Sequence, residues 1–283
     1  MKLLLSASFL GLLASAALIH PVPSQTAPEP VAGGVSYLAG SGGGNVGFLS
    51  GPDGLLLIDD KFENTTAEID AAIAALDSGP ARFLVNTHYH GDHTGGNAHL
   101  GGGLTIVAHD NVRGRLAADG QPAVALPVVT YADGVSLHFN GEEVRLIHVP
   151  SAHTDGDTVV WFRGSNVVHM GDLYFQIGYP YLDVGAGGSA QGLVAGLDRL
   201  LELLPRDARF IPGHGIVTGR AELVAYRDMV ATVLERVREL KAEGVSVDDM
   251  LAGGVTEEYD QRWTWGFIDA RRFVESIARG LDD

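Results

Sequence analysis

A short apolar run, Arg82-Phe83-Leu84-Val85-Asn86, leads straight into Thr87-His88-Tyr89-His90-Gly91-Asp92-His93-Thr94-Gly95-Gly96. That junction constrains the fold more than any other stretch. It demands a strand whose end delivers three imidazoles and a carboxylate to one place. Imidazole nitrogen and carboxylate oxygen are the ligand set of borderline divalent metals, zinc above all. In an extended or loop segment, residues two apart point the same way, so His88 and His90 can hold one ion together. Asp92 and His93, further round the turn, are placed for a second. Solvated loops favour Ser, Asn and Lys over alternating His, so a plain polar loop is the poorer account.

The chain of 283 residues is long enough to bury a sizeable core. Its formal charge of -16 argues against nucleic acid or an anionic membrane as partner, since both call for a basic footprint. A small-molecule substrate is expected instead. There is no cysteine, so disulfides and thiolate ligands are excluded and any metal must be held by nitrogen and oxygen.

The N-terminus reads as a secretory signal, with Lys2 as its positive region, Leu3 to Ile19 apolar, and Ala14-Ser15-Ala16 as a cleavage site. Cleavage near Ala27 and a retained membrane anchor are the alternatives. Pro21, Pro23, Pro28 and Pro30 suggest a stiff linker. The expected organisation is a signal peptide and start of linker over 1–27, a metal-site domain over 28–243, and a helical tail over 244–283 packed back on it. The expected location is periplasmic or secreted, with no stable membrane association once the signal is removed.

From Val35 onward short strands alternate with glycine turns, as in Val35 to Leu38, Val46 to Ser50 and the buried-looking Leu55 to Ile58. Asp59-Asp60 ends that strand. Thr65 and Glu68 have capping-box spacing before a helix whose apolar face is Ile69, Ile73 and Leu76, and Gly79-Pro80 stops it. Asp110 to Asp119 reads as helix and Gly120 to Thr130 as loop. Four strands follow, then a helix capped by Ser189, and then a long helix from Ala221 to Lys241 with Leu223, Tyr226, Val230, Val233, Val237 and Leu240 on one stripe. Strands and helices interleaved in two halves suit an α/β (α+β) architecture of two sheets covered by helices, with strand-end loops converging on one site.

Three further islands complete that site. His153 lies in Pro150-Ser151-Ala152-His153-Thr154-Asp155-Gly156-Asp157, Asp172 follows the strand ending at His169, and His214 stands between Gly213 and Gly215. His88, His90 and His153 would take one ion, and Asp92, His93 and His214 a second, with Asp172 bridging. Such a bridge holds two cations roughly 3.5–4 Å apart with a hydroxide between, a nucleophile available near pH 7. His20, His99, His109, His138, His148 and His169 have plainer structural readings.

These islands, in this order, resemble the metallo-β-lactamase superfamily. The resemblance implies a four-layer αββα sandwich, two zinc ions per chain, and Asp59 as the residue that orients a metal-site group. It also implies that the hydroxide attacks a carbonyl carbon, with Asp92 orienting the nucleophile and returning its proton. Tyr37, Phe48, Tyr174, Phe175, Tyr179 and Tyr181 are candidates for an aromatic substrate wall. The departures matter too. Asp172 stands where the cysteine-containing lactamases have a thiolate, and Phe175 stands where they often carry a lysine. Leu173 to Pro180 has no Lys or Arg, unlike the glutathione-binding stretch of glyoxalase II. The expectation is an exported dinuclear zinc hydrolase for an amide or lactam, lactone or ester, with a β-lactam foremost. A thioester or lactone hydrolase of the glyoxalase II type, or an iron oxygenase resembling persulfide dioxygenases, is the alternative.

Overall fold

The computed structural model describes residues 27–39 and 43–282. The expected signal segment and the turn tip at 40–42 lie outside the described residues. Strands β1 (Glu29–Ala32), β2 (Val35–Leu38), β3 (Val46–Gly51), β4 (Gly54–Ile58), β5 (Ala81–Val85), β6 (Thr105–His109) and β7 (Val129–Tyr131) form a seven-stranded sheet in sequence order. Its first four strands meander antiparallel and its last four run parallel. The parallel strands are joined by helices α1 (Thr66–Leu76), α2 (Gly91–Thr94), α3 (Asn97–Leu100) and α4 (Asp110–Ala118). Strands β8 (Gly134–Phe139), β9 (Glu142–His148), β10 (Thr158–Phe162), β11 (Val167–His169) and β12 (Arg209–Ile211) form a second sheet, ordered β12-β11-β10-β9-β8. Helix α5 (Ala190–Leu203) makes the crossover between the parallel β11 and β12.

Side chains two apart face one side of a strand, and this alternation builds the layers. Leu56 and Ile58 of β4 meet Val160 and Phe162 of β10 between the sheets. Leu55 and Leu57 turn the other way and pack with Ile69 and Ala72 of α1. Val159 and Trp161 likewise face outward, against α5 and α6 (Arg220–Ala242). The result is a four-layer αββα sandwich, and strands such as Gly-Leu-Leu-Leu-Ile are apolar on both faces because both are covered. Helices α7 (Val247–Ala252), α8 (Glu257–Trp263) and α9 (Ala270–Gly280) share the outer core of the second sheet through Met250, Trp263, Phe273 and Ile277. No described helix is long and apolar enough to cross a membrane.

Several local expectations differ from what the chain does. Pro28 and Pro30 belong to no free linker, because Glu29–Ala32 pairs with β2. Proline is tolerated there since β1 is an edge strand and its outer side has no ladder to supply. Thr65 forms no capping box; its hydroxyl donates to the Phe62 carbonyl at the end of a 3₁₀ turn. Helix α1 ends on Asp77 in the left-handed region, before Gly79 is reached. The histidine loop bends through Thr87 to Tyr89, is extended at His90 and then coils into α2. Ser189 does cap α5, accepting from the Gly192 N–H.

Candidate metal centre

Each residue singled out for metal chemistry follows the C-terminal end of a strand: Asp59 after β4, His88 to His93 after β5, His153 after β9, Asp172 after β11 and His214 after β12. The sandwich brings these loops together at one edge. His88, His90, His153 and Asp172 place donor atoms within 4.8 Å of one another, and so do Asp92, His93, Asp172 and His214. Asp172 belongs to both groups. Its Oδ2 lies 3.7 Å from His88 Nε2 and 3.5 Å from His153 Nε2, while its Oδ1 lies 3.1 Å from His93 Nε2 and 3.5 Å from His214 Nε2. Asp92 Oδ2 is 3.2 Å from His214 Nε2 and 3.5 Å from His93 Nε2.

The donor set fits divalent metal. His88 Nε2 and Asp172 Oδ1 are buried with no hydrogen-bond partner, a costly arrangement that cations between the rings would satisfy. The far nitrogens of His88, His90, His93 and His153 are committed elsewhere, which fixes how these rings are presented. His93 Nδ1 lies 2.7 Å from Asp59 Oδ2, and Asp59 also accepts from the Thr87 N–H and hydroxyl. The Thr87 hydroxyl is 3.0 Å from His88 Nδ1. His153 Nδ1 lies 2.7 Å from the Tyr181 carbonyl. His90 turns its Nε2 to Asp183 Oδ2 at 2.9 Å, which leaves Nδ1 facing His153.

Backbone packing completes the frame. Asn45 donates to the carbonyls of Pro212 and Gly215, fastening β3 to the loop that carries His214. Gly213 must lack a side chain, since a Cβ there would stand 2.0 Å from Asp172 Oδ1. The Asp157 carboxylate accepts from the His153 and Thr154 N–H groups and closes the turn that aims His153. Burial pushes its carboxyl up to about 7, against the pull of those hydrogen bonds.

Charge divides the two groups. Burial drives His88 well below the ordinary histidine range, helped by the neighbouring His93, and lowers His153 to about 4. Burial also opposes charge on His93 and His214, but carboxylates override it. Asp172, Asp92 and Asp59 hold His93 well above its ordinary value, and Asp172 and Asp92 raise His214 to about 9. Burial would raise the carboxyls of Asp92 and Asp172, yet the same imidazoles keep both below the usual range.

A cavity of about 500 Å³ opens on this cluster, lined by His90, Asp92, Asp172 and His214 together with Phe62, Phe175, Tyr181, Trp265 and Phe267. Of the aromatic residues expected to face substrate, Phe175 and Tyr181 do so. Tyr37, Phe48, Tyr174 and Tyr179 are core residues instead. Tyr37 lies between the sheets and Phe48 under α1. Tyr174 packs on Tyr226, and Tyr179 stacks on Phe273 with its hydroxyl donating to Asp260. Alternation along β2 and β3 turns the first two inward, α6 covers Tyr174 and the helical tail covers Tyr179. Sequence reasoning missed Asp183, whose only signal is an acid opening a glycine-rich turn. It also missed Phe62, Trp265 and Phe267, whose placement depends on how α1 and the tail fold back.

Residues 39–214 match the family model of the metallo-beta-lactamase superfamily. The chain belongs to this superfamily. It is similar to the hydroxyacylglutathione hydrolase of Methylococcus capsulatus, 30% identical over 207 residues that make up 67% of this chain and 74% of that protein. The enzyme of the same name from Rhodospirillum rubrum is 28% identical over 173 residues, 60% of each chain. Among solved structures, a metallo-beta-lactamase from Pontibacter korlensis superposes with a TM-score of 0.62 at 20% identity, over 72% of this chain and 98% of that one. The sec-alkylsulfatase Pisa1 from Pseudomonas sp. gives 0.75 at 16% identity, over 90% of this chain and 50% of that one. These two likenesses speak to the fold. The superfamily membership, the hydrolase relatives and the donor clusters together make this chain a metallo-hydrolase.

Proposed function

We propose that this superfamily member is a dinuclear zinc hydrolase that cleaves an activated acyl bond, a thioester, ester or lactone, by addition of water to the carbonyl. The observation that carries this reading is the pair of four-donor groups sharing Asp172. Two bound divalent ions would supply Lewis-acid polarisation of the carbonyl and an acidified water. The protein's own part is positional and protonic. Asp92 lines the cavity and is ionised at neutral pH, so it accepts a proton from the attacking water. It returns that proton to the sulfur or oxygen that leaves as the acyl bond breaks. The aromatic wall excludes bulk water while this happens. The hydrolase relatives favour thioester or ester over β-lactam, and Phe175 in place of a lysine removes a cation that a lactam carboxylate would use. We therefore assign β-lactam cleavage to a side activity. The proposed export rests on Lys2 and the apolar run Leu3 to Ile19.

The test is metal analysis of protein purified without added metal, combined with a hydrolysis screen over a thioester, a lactone, an aryl ester and a penicillin. Two zinc per chain with turnover of the first three is the expected result. One iron per chain with oxygen uptake would replace the hydrolase with an oxygenase, and fast penicillin cleavage would restore the lactam as principal substrate.

A further inference from the structure

The cavity also bears on the part of the substrate that does not react, an inference that rests on the hydrolase reading. Its wall is a continuous aromatic belt. Phe175 stacks on His214 with ring centroids 5.3 Å apart and planes 6° from parallel. Trp265 lies 5.8 Å from Phe175 and 5.8 Å from Phe267, and Phe267 meets Tyr181 edge-on at 5.5 Å. Tyr181 closes the belt 5.7 Å from His90. The belt therefore begins on a donor of one metal group and ends on a donor of the other.

The belt is preformed. Trp265 Nε1 donates to the Tyr179 carbonyl at 3.0 Å, and the Trp265 N–H donates to the Ile268 carbonyl. Gly178 lets that ring settle against the backbone, since a Cβ there would stand 2.1 Å from the indole. Yet Phe267 is 50% exposed and Phe62 on the opposite lip is 45% exposed. Two large rings open to water at the mouth of a cavity are surface that a bound apolar group would cover.

Charge points the same way. No lysine or arginine lines the cavity among the described residues. Arg272, whose guanidinium lies 5.8 Å from the Phe267 ring, is committed to the Phe267 carbonyl. Lys61 is fully buried beneath the site. Asp183 stands behind His90, and the chain as a whole carries -16. Along the belt, away from the metal donors, a carboxylate on the substrate's flank would lose water without gaining a counter-charge from a lysine or arginine.

We propose that this site selects substrates whose group flanking the scissile bond is an uncharged aromatic, that it discriminates against carriers bearing carboxylates, and that Trp265 and Phe267 set this preference. The experiment compares two phenylacetyl thioesters on the zinc-loaded full chain, one of N-acetylcysteamine, which is uncharged, and one of glutathione, which carries carboxylates. The uncharged thioester is expected to have a kcat/KM about 10–100-fold higher, the scale of stripping water from a polar group that finds no partner. Phe267→Ala and Trp265→Ala should shrink that ratio about tenfold, and Trp265→Phe, which keeps a ring, should restore most of it. A glutathione thioester turned over as well or better, or a ratio untouched by both alanine variants, would overturn the proposal. A second arm separates it from the hydrolase reading. Benzyl methyl ketone and its para-carboxylate analogue have no bond to hydrolyse, and their binding is read by titration calorimetry on the chain as purified. Preferential binding of the uncharged ketone without turnover of any thioester would uphold the pocket and sink the hydrolase. Turnover without any such preference would do the reverse.

Discussion

The two halves of the metal centre use the same imidazole chemistry and hold it in opposite states. His88, His90 and His153 share only the Oδ2 side of Asp172, and burial keeps His88 and His153 neutral. His93 and His214 face Asp172 Oδ1 and Asp92, and Asp59 stands behind His93, so carboxylates outweigh burial and favour a proton on each ring. The first group is ready for a cation. The second must exchange protons for one. Number and placement of carboxylates, rather than the histidines themselves, decide which is which.

The severest way to break this contrast is to remove what both halves share. Asp172→Ala should lower activity on the order of 10³-fold and take the second metal with it, since the second group then loses one of its two carboxylates. Zinc content of about one per chain alongside lost turnover is the expected result. Retention of two zinc and normal turnover would show that Asp172 does not join the groups.

A gentler pair of substitutions should tell the halves apart. Asp59→Asn loosens the hold on His93 and should weaken the second ion about 10–100-fold, whereas Asp183→Asn loosens His90 and should weaken the first by a similar factor. Chelator competition followed by metal analysis checks this, and identical loss profiles for the two variants would remove the distinction.

Acidity also separates the two halves. In the metal-free chain His214 keeps its proton up to about 9, so second-ion affinity should climb about tenfold per pH unit for each proton displaced between pH 6.5 and 9. First-ion affinity should stay nearly flat over the same range, because His88 and His153 are already neutral. The fold itself should feel both. The raised His214 contributes stability that is complete below pH 6.5 and lost as pH rises through 9. The depressed His153 withdraws stability as pH falls from 6.5 toward 4. Calorimetric melting of the metal-free chain across pH 4 to 9.5 measures these opposite slopes.

What the sequence revealed of this centre follows strand ends. His88, His90, Asp92, His93, His153, Asp172 and His214 were legible because each follows an apolar run, and strand ends at one edge of a sandwich are bound to meet. Asp183 was not, since its partnership with His90 depends on the path of an irregular segment that periodicity does not describe. The wall was misread for a related reason. Tyr37 and Tyr179 have the right chemistry on nearby elements, but only tertiary packing decides whether a ring faces a cavity or the core, and both face the core. Of the aromatic residues in the tail, Trp263 is buried while Trp265 and Phe267 line the cavity.

The spread of the donors along the chain sets an order of assembly during synthesis. A polypeptide that has left the ribosome as far as Asp172 already holds every donor of the first group, whereas the second waits for His214 and the aromatic belt for Phe267. Because Asn45 fastens the His214 loop to β3, completing the second group also locks one of the earliest strands to one of the last loops. Assembly of the second donor group therefore waits for nearly the whole chain, when its most sequence-distant contacts close.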